Sequence, residues 1–124
     1  MAKKRVIVLF NIKPGADPGT AAFLKKKITE DFIPAEEKAP GLLSIEFVER
    51  FRDPIPHEPN NSASDFGFVE LWKDAKSNHD WWAGNMFAPK SEKLKKVMQD
   101  FKALLESPQG GYVEMLDCHY TVVE

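Results

Sequence analysis

Cysteine is almost absent: the 124 residues hold one, Cys118. One thiol closes no internal disulfide and builds no Cys-based zinc site, and such sparing use fits a reducing compartment. An excess of either charge is missing too, with 17 Lys+Arg against 19 Asp+Glu. Nothing in that balance announces a nucleic acid or an anionic membrane as partner. Long apolar runs are lacking near the amino terminus. Val6 to Phe10, behind the basic Lys3-Lys4-Arg5, is too short for a signal peptide and far short of the about twenty residues of a spanning helix. No glycine-rich phosphate loop occurs, since Gly110-Gly111 follows a helical segment instead of preceding one. The expectation is a cytoplasmic protein with no membrane and no nucleic acid among its partners.

What is present is the material of a core. Hydrophobic residues make up 43% and aromatics 11%, which excludes disorder. The length suits one domain over 1–124, able to bury roughly two thirds of its unfolded surface without a staple. Arg5 to Ile12 reads as a strand, apolar on both parities and stopped by Pro14-Gly15. Asp17-Pro18 opens a helix to about Ala39, with Ala21, Leu24, Ile28, Phe32 and Ala35 inward and Glu36-Glu37-Lys38 in water. Pro34 should end or kink it near Phe32-Ile33. Leu42 to Arg52 is a second strand, with Leu43, Ile45, Phe47, Glu49 and Phe51 on one parity. Asp65 to Lys73 is a third, carrying Phe66, Phe68, Glu70 and Trp72 on one face. Asp74 is a plausible N-cap for a helix to about Phe87. Lys90 to Glu106 is a stronger helix, and Tyr112 to Val123 the last strand.

Strand, helix, strand, strand, two helices, strand is the split βαβ order of an α+β, ferredoxin-like fold with a four-stranded antiparallel sheet. The helices can cover only one face of that sheet. The other face, apolar in the first strand, needs its own cover, and a second copy of the chain supplies it. A homodimer with its sheets face to face is expected.

Val69 to Pro89, VELWKDAKSNHDWWAGNMFAP, and Pro40-Gly41-Leu42-Leu43-Ser44-Ile45 resemble the dimeric α/β-barrel superfamily, which contains antibiotic-biosynthesis and haem-degrading monooxygenases. The resemblance implies two ferredoxin-like sheets closing into a dimeric α/β barrel. It also implies a cavity for a small apolar or aromatic molecule between sheet and helices. Haem-degrading members use an Asn on the first strand, a Trp on the third and a His beyond the short helix. Here Trp72 occupies the Trp position, but the Asn position falls near Val8 and the His position near Ser91. Quinone-forming members carry an Asn four residues before their Trp, where this chain has Phe68. No haem or other cofactor is therefore expected. The leading function is a cofactor-independent, monooxygenase-like enzyme acting on a phenolic or polyketide-like substrate. A polyketide cyclase or isomerase, and a non-catalytic dimeric module whose cavity Phe23, Trp72 and Trp82 fill, stand as alternatives.

Five residues are candidates for the site. Glu70, between two aromatics on an inward parity, would be a desolvated general base, or else a residue at an edge position or an ion-pair partner of Lys73 or Arg50. His79 shares a helical stripe with Ala75, Trp82 and Met86 and would move a proton, or sit hydrogen-bonded in the core. Phe68, Trp72 and Trp82 would line the cavity, with Trp72 equally readable as core. Trp81 and Trp82 lie about 100° apart on a helix, so one packs inside and the other borders the cavity or the dimer seam. The facing of His119, between Cys118 and Tyr120, stays open. Cys118 reads as an inert thiol, and three scattered histidines suggest no metal site. The segment Asp53 to Ser64, with His57, is an arm or a lid.

Overall fold

The computed structural model describes residues 1–51, 64–86, 92–105 and 113–124. Residues 53–63 of the expected arm or lid, with His57, and Gly110-Gly111 lie outside the described residues. Four strands, β1 (Lys4–Ile12), β2 (Leu42–Glu49), β3 (Phe66–Trp72) and β4 (Val113–Thr121), form one sheet. Its order is β2-β3-β1-β4, and every pairing is antiparallel. Helices α1 (Thr20–Lys26), α2 (Ile33–Glu36), α3 (Ala75–Met86) and α4 (Glu92–Leu105) complete the α+β ferredoxin-like fold.

The inner row of β1, Val6, Val8 and Phe10, is buried, and so are Phe66, Phe68, Glu70 and Trp72 of β3. The two rows lie side by side because Val8 pairs with Phe68 and Phe10 with Phe66. Phe32 is the hub above them. Its ring centroid lies 4.9 Å from Phe68, 5.7 Å from Phe101 and 6.1 Å from Trp81, so one aromatic joins the sheet to both carboxyl-side helices. Asp74 does cap α3, accepting the Ser77 backbone N–H at 2.8 Å, and this bond holds its carboxyl below the usual carboxylate range.

Two details differ from the expected pattern. Pro34 does not end its helix; a π-helical segment, Lys27–Phe32, precedes it and joins α1 to α2. A four-residue step on an α-helix overshoots one turn by about 40°. The wider π turn cancels that drift, so Leu24, Ile28, Phe32 and Glu36 stay on one line. Glu36, expected in water, is therefore fully buried, at 0% exposure. In β2 the register with β3 shifts between Leu42 and Ser44. This irregularity takes Leu43 off the row of Ile45 and Phe47 and leaves it 52% exposed. Phe51, expected on that row too, is also 52% exposed.

Gly41 adopts φ +89°, and its carbonyl accepts the Lys73 N–H at 2.8 Å, so the turn into β2 is tied to the end of β3.

The burial of Glu36 has a measurable consequence. No described donor meets either of its carboxyl oxygens, and Glu70 lies beside it. Burial, then the Glu70 carboxyl, hold the Glu36 carboxyl well above its ordinary value of 4.5. The folded chain thus binds this proton more tightly than the unfolded one. The stability it contributes is complete below the unfolded value and is lost as pH rises through the folded one. Glu36→Gln keeps the shape and stays neutral. It should be more stable than wild type at pH 8, by about 1–3 kcal/mol, and the margin should vanish by about pH 4.5. Thermal unfolding at several pH values checks this; a margin independent of pH would refute the buried acid.

Candidate functional site

Between β1, β4 and helices α3 and α4 lies a cavity of about 800 Å³, within the range of small-molecule sites. It exists because β4 is an edge strand. The helices close over β1 and β3 but leave the inner row of β4, namely Met115, Asp117 and His119, exposed. The floor is apolar, made by Val8, Phe10, Phe32 and Phe68. Trp82 of α3 and Met98, Phe101 and Leu105 of α4 form the helical wall.

The adjacent tryptophans divide the two roles. Trp81 is core, 6.4 Å from Trp72 between ring centroids, whereas Trp82 reaches the cavity. One turn earlier, α3 presents Asn78 and His79 to the same cavity. Asn78 is 1% exposed and its Nδ2 meets no acceptor among the described residues. A buried amide donor without a partner costs about 1–3 kcal/mol, so an acceptor on a ligand would be welcome there.

Across the mouth, β4 supplies a second polar group. Pairing sets its parity: Val6 faces His119 and Val8 faces Asp117, so both side chains join the inner row. His119 Nε2 lies 2.8 Å from Asp117 Oδ1. With Nε2–H donating to that carboxylate, Nδ1 carries the lone pair and is the ring nitrogen left to act as a base.

Of the five sequence candidates, Phe68, Trp82 and His79 are gathered around the cavity. Glu70 and Trp72 are not among its lining residues. They are fully buried beside it, with Trp72 Nε1 donating to Glu70 Oε1 at 3.1 Å. Arg50, a possible partner for Glu70, instead pairs with Asp65 at 3.4 Å. Phe23 lies at the surface, 42% exposed, and Trp72 below, so neither fills the cavity. His119, Asp117 and Asn78 were not singled out from the sequence as site residues. The signal for the first two was an Asp and a His two apart on one strand, hence on one face.

Among the described residues no three His, Cys, Asp or Glu side chains gather as a metal would require, and no helix is long and apolar enough to cross a membrane. Neither a family model nor any curated protein matches the sequence. Solved structures do match. SnoaB, a cofactor-independent oxygenase from Streptomyces nogalater, is 10% identical at a TM-score of 0.61, covering 100% of this chain and 96% of its own. The hydroxynitrile lyase of Passiflora edulis is 13% identical at 0.60, covering 99% and 95%. A dimeric protein of unknown function and ferredoxin-like fold from Bacteroides fragilis is 9% identical at 0.57, covering 98% of both chains. The chain has the fold of these ferredoxin-like proteins. At such identities the likeness is one of fold, and chemistry has to be argued from the cavity.

Proposed function

We propose that this chain is a small-molecule enzyme that takes a proton from a phenolic or polyketide-like aromatic substrate in the cavity and passes the resulting anion to dioxygen without a cofactor. The observation that carries this reading is an open apolar cavity with a carboxylate-oriented imidazole, His119–Asp117, at its mouth. Phe68, Phe10 and Trp82 would pack the aromatic body, each stacked ring adding about 1 kcal/mol beyond burial. His119 Nδ1 would accept the proton, with His79 across the mouth as a second proton carrier. The substrate anion, stabilised by delocalisation, would then reduce dioxygen. For a ring methylene, one methylene and one dioxygen give one ring carbonyl and one water. One oxygen atom stays in the carbonyl, the other leaves as water with both methylene hydrogens, and the carbon supplies all the electrons that dioxygen gains. Glu70, shut beneath Trp72, is assigned to the core.

A panel of polycyclic phenols, quinols and enolisable aryl ketones, with oxygen uptake followed alongside product formation, tests this. One dioxygen consumed per product is expected. Turnover that persists without oxygen would make the protein a cyclase or isomerase using the same base. No turnover, and no ligand that raises the melting temperature, would remove the enzyme reading.

The same reading includes a homodimer. On the outer face of the sheet, Ile7 and Leu9 of β1 pair with Cys118 and Leu116 of β4. Leu116 is 54% and Tyr120 55% exposed, and the likeness to a dimeric ferredoxin-like protein supports a second copy as their cover. Light scattering should give twice 14.1 kDa for the wild type. Leu116→Asp, which places a charge in the seam, should shift the mass toward 14.1 kDa. A dimer undisturbed by that charge would place the interface elsewhere.

A further inference from the structure

Among the described residues that line the cavity, cationic side chains outnumber acidic ones. Lys4, Lys95 and Lys102 line it, together with Asn78 Nδ2, which meets no acceptor among the described residues, while Asp117 is the one acidic side chain among the described lining residues and is already engaged by His119. In a chain of net charge −2 this is a local reversal.

Ion pairing makes the reversal sharper. On α4, Lys93 pairs with Asp31 at 3.3 Å and Lys96 with Asp100 at 2.8 Å. Lys95 and Lys102, on the same helix, have no ion-pair partner among the described residues, and neither has Lys4. Lys95, Gln99 and Lys102 stand at i, i+4 and i+7, one stripe along the rim. Lys4 approaches from β1, on the inner row with Val6 and Val8. Three ammonium groups without an ion-pair partner among the described residues, and a buried amide N–H, therefore surround an aromatic floor.

Resting on the reading of this cavity as the substrate site, we propose that the ligand is an aromatic acid, a flat apolar body bearing a carboxylate, held by Lys4, Lys95 and Lys102 at the rim. Its body lies on Phe10, Phe68 and Trp82, and its acceptor oxygens meet the donors that the protein leaves unpaired. The lysines act as screened point charges at the surface, so they bias the choice between acid and neutral isostere more than they fix a pose.

Binding of anthracene-2-carboxylate and of its neutral isostere anthracene-2-carboxamide, measured by fluorescence titration on the full chain, tests the assignment. The carboxylate should bind about tenfold more tightly, from modest gains at each exposed lysine. The preference should shrink at about 0.5 M salt, where the Debye length falls below about 5 Å. Lys95→Met/Lys102→Met, which keeps the alkyl stems, should reduce the preference to about twofold, chiefly by weakening the carboxylate. Equal binding of the two compounds would overturn the aromatic acid and leave the apolar cavity standing. A carboxylate preference that survives both high salt and the double substitution would overturn the role of the lysines. Binding of neither would defeat the proposal together with the substrate-site reading beneath it.

Discussion

Gly67→Ala should cost about 3 kcal/mol or more and lower the melting temperature by on the order of 10 °C. Gly67 sits in β3 on the face away from the helices, opposite Leu9 of the central strand β1. A Cβ added there would stand 2.0 Å from the Val8 carbonyl oxygen and 2.9 Å from Leu9 Cα. Both are backbone atoms, so no rotamer change relieves the clash. The β1–β3 ladder would have to part, and with it Val8 and Phe68, which pair across that ladder and share the cavity floor. Loss of stability and loss of ligand binding should therefore arrive together. Gly84 is the control. It lies in α3, where an added Cβ meets nothing within 4 Å among the described residues. Gly84→Ala should gain up to about 1 kcal/mol from helix propensity. Calorimetry on the two variants should give opposite signs. A Gly67→Ala protein within about 0.5 kcal/mol of wild type would mean that β1 and β3 do not approach as described.

That sheet centre was the most legible part of the chain. Strict alternation through Phe66, Phe68, Glu70 and Trp72 assigned β3 its inward face, and the burial of all four follows it. The helix expected over Lys90 to Glu106 was equally plain, and its Leu94 and Val97, at helical spacing, are both buried. Glu36 was hidden for a definite reason. Reading it as solvated assumed about 3.6 residues per turn, and the π segment before Pro34 changes that period just where the two glutamates come together. Leu43 was misplaced by a register shift that alternation cannot reveal. The site divides in the same way. Trp82 and His79 follow from helical spacing alone. Asn78 does not, since a polar residue one position from a histidine carries no sign of burial. His119 needed the pairing partner as well: β4 is mixed in polarity on both parities, and only its alignment with Val6 decides which row faces the helices.

His119→Ala should lower kcat by about 10²–10⁴-fold on whichever substrate of the panel turns over, the loss expected for a positioned general base. KM should move little, because the apolar floor that holds the substrate is untouched. Asp117→Asn acts through His119 and should cost less, on the order of tenfold. The carboxylate side chain is 44% exposed, so water can take over part of its orienting bond. His79→Ala separates the two histidines. If His79 is the base, the large loss in kcat moves to that variant and His119→Ala keeps its turnover. Glu70→Gln tests the remaining carboxylate. Fully buried and bonded to Trp72, Glu70 meets no cavity surface, so its replacement should alter stability and leave kcat within a few fold. A collapse of kcat in a folded Glu70→Gln protein would mean that the proton leaves toward the buried acid pair. The carboxyl-bearing row of β3 would then be catalytic, and the mouth of the cavity only the door.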